Sequence, residues 1–125
     1  MHREQDIIAW ATERGIFSEL HGSNPTRQAD KTQEELLEMF DGIRRGDLGL
    51  IQDAIGDICV TLAIQCKFWG LSMDDCIEAA WNEIKDRKGQ MIAGQFVKER
   101  NSIDDASPEE WDAVRAGIVE AKGSN

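Results

Sequence analysis

Five carboxylates in two short stretches have the type and spacing to hold a divalent cation. Glu34, Glu35 and Glu38 lie in Lys31-Thr32-Gln33-Glu34-Glu35-Leu36-Leu37-Glu38, and Asp53 and Asp57 lie in Asp53-Ala54-Ile55-Gly56-Asp57. On a helix Glu35 and Glu38 are i,i+3 neighbours, while Glu34 with Glu38 and Asp53 with Asp57 are i,i+4 neighbours. Asp57 is flanked by Ile55, Ile58 and Cys59, where an uncompensated carboxylate is costly to bury. Carboxylates brought that close repel unless something positive lies between them. Oxygen donors alone suit Mg²⁺ or Mn²⁺ rather than Zn²⁺. The plainer reading is two solvated acidic stripes; the apolar neighbours of Asp57 speak against it.

A second asymmetry concerns charge. Residues 81–100 hold five bases (Lys85, Arg87, Lys88, Lys98, Arg100) against three acids, net +2, while residues 1–80 hold seven bases against fifteen acids, net −8. Cations beside an acidic metal cluster suit a metal-chelated polyphosphate, the bases meeting phosphate oxygens and the metal bridging to the carboxylates. Bases near a helix C-terminus also meet the dipole without any ligand. No G-x-x-x-x-G-K-[ST] sequence is present, which excludes a P-loop.

These groups need helices to position them. The periodicity predicts a first helix over 4–14 with Ile7, Ile8 and Ala11 inward and Trp10 a candidate for the same face. A second runs from Pro25, capped by Asn24, to about Arg45. The most apolar segment, 48–69, is expected as a central third helix, and Ser72 with Asp75 should open a fourth reaching about Lys88. The short turn at Gly46 favours antiparallel packing of helices two and three. Glu38 lies eight residues before Gly46 and Asp57 eleven after it, so the acids meet at similar depth. GQMIAGQFVKER suggests a short extended segment or hairpin. Ser107-Pro108-Glu109-Glu110 starts a tail helix to about Ala121, with Trp111, Val114 and Ile118 on one face. The expected fold is all-α, a four-helix bundle with one small irregular piece.

Composition narrows the function classes. The 125 residues carry 24 acids and 14 bases, a net charge of −10, which argues against gripping a nucleic-acid polymer or an anionic membrane. No run of about 18 apolar residues suggests a transmembrane helix, and the polar N-terminus does not read as a signal peptide. Cys59, Cys66 and Cys76 form no C-x-x-C pair; they read as small buried hydrophobes in a reducing, cytoplasmic setting.

Taken in order, E-E-x-x-E on helix two, the acid-rich G-D on helix three and W-N-E-I-K-D-R-K-G closing helix four resemble the MazG-like family of all-α NTP pyrophosphohydrolases. W-A-x-x-R-G at the N-terminus, followed by a loop and Lys31, resembles its compact single-domain members. The resemblance covers residues 6–100 and implies a MazG-type four-helix core in a domain over 1–100; the tail over 101–125 lies outside it and is expected to dock on that domain or on a partner chain. It implies Mg²⁺-dependent hydrolysis of a nucleoside triphosphate between the α and β phosphates, yielding the monophosphate and pyrophosphate. Glu35, Glu38 and Asp57 are then metal ligands, Glu34 or Glu35 the base that orients the attacking water, and Lys31, Asn82, Lys85 and Lys88 the substrate's polar and basic contacts. Trp10 or Trp81 would stack on the nucleobase. The family usually writes E-x-x-D on helix three, whereas the position three before Asp57 is Ala54; Asp53, one residue earlier, shares the face and is expected to substitute. The resemblance also implies a homodimer or homotetramer. Two alternatives stand beside the enzyme: a catalytically weakened nucleotide- or metal-binding regulator, and an acidic interaction protein.

Overall fold

The structure, a computed structural model, describes residues 1–99. Four α-helices, α1 (Glu4–Glu13), α2 (Pro25–Arg45), α3 (Leu48–Phe68) and α4 (Met73–Ile84), precede a two-stranded antiparallel sheet of β1 (Gly89–Ile92) and β2 (Gln95–Lys98). The all-helical reading and the expected hairpin therefore agree with the structure. The expected tail helix lies outside the described residues.

Helix boundaries follow local chemistry. The Asn24 side chain accepts a hydrogen bond from Arg27 N at 2.9 Å, and Pro25 takes the first position, where its missing N–H costs nothing. At the other end Gly46 adopts φ +65°, a left-handed cap, and Asp47 N donates to Gly42 O at 2.9 Å. The Asp47 side chain then accepts from Leu50 N at 3.0 Å and opens α3. Two residues thus end one helix and start the next, which forces α2 and α3 to run antiparallel along each other. Their backbones approach closely at Gly42, where a Cβ would meet Ile51 Cγ1 at 3.0 Å and Ile51 N at 3.1 Å. Further along, Thr32 Oγ1 donates to Thr61 Oγ1 at 2.9 Å and Gln28 Nε2 to Thr61 O at 3.2 Å, tying the two helices together by polar contacts.

The chain divides into two units, Met1–Ala80 and Trp81 onward, with the boundary inside α4. In the first unit α1 packs on α3. The buried apolar side chains are small or of middling size: Ala11, Ala54, Ala63, Ile64, Cys66 and Met73. Glu4 is buried with them, and its Oε1 accepts from Met73 N at 2.7 Å, capping the start of α4 from another helix. The expected Ser72 cap is also present, accepting from Asp75 N at 3.1 Å. Among the described residues no large side chain is fully buried, and Leu37, Phe40, Ile43, Ile55 and Trp69 are all exposed.

Three expectations need correction. The fourth helix stops at Ile84 rather than Lys88, because Glu99 N already donates to Lys88 O at 2.9 Å and the ladder needs extended backbone there. Cys76 is exposed, not a buried hydrophobe, while Cys66 is buried and Cys59 intermediate. Finally, against the expectation that no segment could span a membrane, α3 has 21 residues with an 18-residue window of mean hydropathy 1.3, long and apolar enough by length and composition to cross one. Mostly buried core helices of soluble proteins pass the same test, whereas 22% of this window is buried.

Candidate metal centre

Glu35 and Glu38 come from successive turns of α2, and Asp57 from the facing stretch of α3. One carboxylate oxygen from each lies within 4.8 Å of the others. Two unit charges at that separation repel by about 1 kcal/mol in water and by about 3–4 kcal/mol at an effective dielectric of about 20. Glu38 and Asp57 are exposed, and so is Ile55, so the apolar neighbours of Asp57 do not bury it as expected; the buried member is Glu35, 8% accessible. Its Oε2 is buried and has no hydrogen-bond partner. An ionised oxygen in that position is expensive unless a cation completes it.

The electrostatics follow from this placement. Burial pushes the Glu35 carboxyl above its ordinary range; the hydrogen bond and charge of Glu38 and the charge of Asp57 push the same way. Lys31 opposes them. Its Nζ lies 3.9 Å from Glu35 Oε1 and 3.1 Å from a Glu34 carboxylate oxygen. The Glu34 contact in turn holds the Lys31 ammonium above its ordinary value. One exposed lysine partly balances three clustered acids, and negative charge is left over for a divalent ion.

Asp57 also borders an open depression of about 480 Å³, shared with Arg3, Asp6, Ile7, Trp10 and Val60. The Arg14 guanidinium lies 4.5 Å from the centroid of the Trp10 ring, an arrangement worth about 0.5–1 kcal/mol at an exposed site. An aromatic ring, a cation and an apolar floor beside a candidate metal site can receive a planar heterocycle attached to a charged group.

The sequence-derived candidates therefore separate. Glu35, Glu38 and Asp57 come together, with Lys31 and Glu34 in ion-pair contact at their edge and Trp10 in the adjoining depression. Asp53 is exposed and outside the cluster. Ala54, at the position where the family pattern writes an acid, is 0% accessible. Asn82, Lys85 and Lys88 belong to the second unit, where all three are exposed. Arg3, Asp6 and Val60 were not legible as site residues. Arg3 and Asp6 form an i,i+3 ion pair at 3.0 Å, and the packing of α1 on α3 brings them near Asp57.

No family model matches the chain, and no curated protein or solved structure is significantly similar to it.

Proposed function

We propose that the chain is a Mg²⁺-dependent nucleoside triphosphate pyrophosphohydrolase of the MazG-like type, cleaving (d)NTPs between the α and β phosphates to (d)NMP and pyrophosphate. The observation that supports it most is Glu35, whose carboxylate clusters with those of Glu38 and Asp57 and whose Oε2 is buried without a hydrogen-bond partner. That donor set, all carboxylate oxygen with one oxygen lacking a partner, fits Mg²⁺ or Mn²⁺. Glu35, Glu38 and Asp57 would hold the ion, which when bound supplies positive charge to neutralise the triphosphate. Glu34, exposed and paired with Lys31, is the carboxylate proposed to take the proton of the attacking water, because Glu35 is committed to the cluster. Lys31 meets phosphate charge, and Trp10 offers its ring to the base. Asn82, Lys85 and Lys88 are proposed as further nucleotide contacts on the resemblance and on their polarity and charge.

The same reading takes the chain as a homodimer or homotetramer with a bundle-type core, because Leu37, Phe40 and Ile43 on α2 leave an apolar surface uncovered. Free cysteines fit a reducing compartment such as the cytoplasm. The acidic surface fits neither a nucleic-acid polymer nor an anionic membrane as partner.

One observation favours a second reading, metal or nucleotide binding with little turnover: Ala54 is fully buried and Asp53 lies outside the cluster, so helix three contributes one carboxylate instead of two. Pyrophosphate release from a panel of standard and modified (d)NTPs, with and without Mg²⁺, separates the two. Mg²⁺-dependent release that Glu38→Gln and Asp57→Asn abolish in folded protein supports the enzyme. No release from any nucleotide, with binding retained, supports the regulator.

A further inference from the structure

The end of α3 and the start of α4 bring together a group of sulfur atoms that the candidate metal centre does not use. Cys66 Sγ lies 3.9 Å from Cys76 Sγ and 3.7 Å from Met73 Sδ. Cys66 is buried and Cys76 is exposed, so one thiol is open to a reagent and the other waits behind it. The backbone already holds the two helices at this distance. Trp69 N and Leu71 N both donate to Cys66 O, at 3.0 and 2.9 Å, and Gly70 closes the turn at φ +68°. Two sulfurs in van der Waals contact across a fixed turn need side-chain rotation to reach bonding distance.

We propose that Cys76 and Cys66 form a redox modification site, in which a small-molecule disulfide such as glutathione disulfide converts the two thiols to an intramolecular disulfide. The exchange balances in two steps. The Cys76 thiolate attacks one glutathione sulfur, the glutathione S–S bond breaks, and a mixed disulfide forms with release of one glutathione thiolate. The Cys66 thiolate then attacks the Cys76 sulfur, forms the Cys66–Cys76 bond and expels the second glutathione thiolate. The two cysteine protons pass to the two leaving thiolates, so the protein is oxidised by two electrons and one glutathione disulfide is reduced. Burial holds the Cys66 thiol protonated, aided by Cys76 and the negative charge of Glu4, which makes the second step the slower one. Cys59, the remaining cysteine, has no sulfur contact with either.

The test uses the full-length chain. Reduced protein is incubated with glutathione disulfide, quenched by alkylation under denaturing conditions, and mapped by mass spectrometry while released glutathione is counted. The expected wild-type result is a reducible Cys66–Cys76 cross-link with Cys59 alkylated, and two glutathiones released per chain. Cys66→Ala should stop at the Cys76 adduct with one glutathione released, and Cys76→Ser should form no adduct in the folded protein. Cys59→Ser should behave as wild type, and circular dichroism checks that each variant is folded. A wild-type chain that still carries the Cys76 adduct once glutathione release has stopped, links Cys59, or cross-links only between chains overturns the proposal, whatever the variants do.

Discussion

Lys31 Nζ approaches Glu35 Oε1 to 3.9 Å, while the other oxygen of the same carboxylate is buried without a partner. The lysine sits half in solvent and only partly answers a carboxylate that also clusters with Glu38 and Asp57. In the absence of a cation that arrangement opposes folding. Glu35→Gln should therefore raise the melting temperature in EDTA, since it removes a repelling charge and keeps the shape. Mg²⁺ should raise the wild-type melting temperature, by the equivalent of about 2.7 kcal/mol at a hundredfold excess over Kd. The variant should show little of that rise. A Mg²⁺ response of equal size in both proteins would sink the assignment of Glu35 as a ligand.

Asp53 and Asp57 are an i,i+4 pair on one helix, yet only Asp57 joins the cluster. Asp57→Asn should lower Mg²⁺-dependent pyrophosphate release by more than about 100-fold, beyond the usual loss for a residue that only supports a ligand. Asp53→Asn should stay within a few-fold of wild type. Comparable losses in steady-state rates would mean that Asp53 takes part after all.

Helices, caps and the acidic pairs were legible because each is a local property. Asn24 before Pro25, Gly46 after Arg45, and Ser72 three before Asp75 announce helix ends through short-range hydrogen bonds, whereas the Asp47 cap of α3 was not expected. Glu35 and Glu38 share a face because 3.6 residues make a turn. What lay beyond the sequence depends on packing. Asp53 shares a face with Asp57 by count, but nothing in the spacing says which of them reaches α2. The burial of Glu4 and the exposure of Cys76 likewise follow from how α1, α3 and α4 meet. The end of α4 was missed because strand pairing at Lys88 and Glu99 overrides a continued helical pattern.

Trp10 and Asp57 border the same depression, so a nucleobase placed there would stand beside its own metal-bound phosphates. Trp10→Ala should raise KM for the preferred nucleotide by roughly 10-fold, within the range of about 1–3 kcal/mol for one aromatic–base stack. The turnover number at saturation should change little, since a stack on the base would hold ground state and transition state alike. Unchanged KM across the nucleotide panel would return Trp10 to a purely structural role with Arg14.

Leu37, Phe40 and Ile43 are 62%, 57% and 56% accessible on α2, more apolar surface than one small domain normally leaves in water. Light scattering coupled to size exclusion should give a mass of at least two chains. Phe40→Asp or Ile43→Asp should shift it towards one chain and lower stability, because each would put a charge into the proposed contact between chains. A wild-type protein already monomeric at high micromolar concentration would remove this interface.

Cys66 and Cys76 should also differ in reactivity and in their effect on alkaline stability. Burial, then contact with Cys76 and the charge of Glu4, pushes the Cys66 thiol from 9.0 up to about 11. A folded-state value above the unfolded one means that the protonated thiol stabilises the native chain. That contribution is fully present below about pH 9 and is lost as pH rises through about 11. Iodoacetamide at pH 8 should therefore label Cys76 well before Cys66 in folded protein. Melting temperatures measured from pH 8 to 11 should fall more steeply in wild type than in Cys66→Ala, because only the wild type loses a buried proton. Parallel pH curves, or equal labelling rates for the two thiols, would show that Cys66 is not held behind Cys76 as the packing indicates.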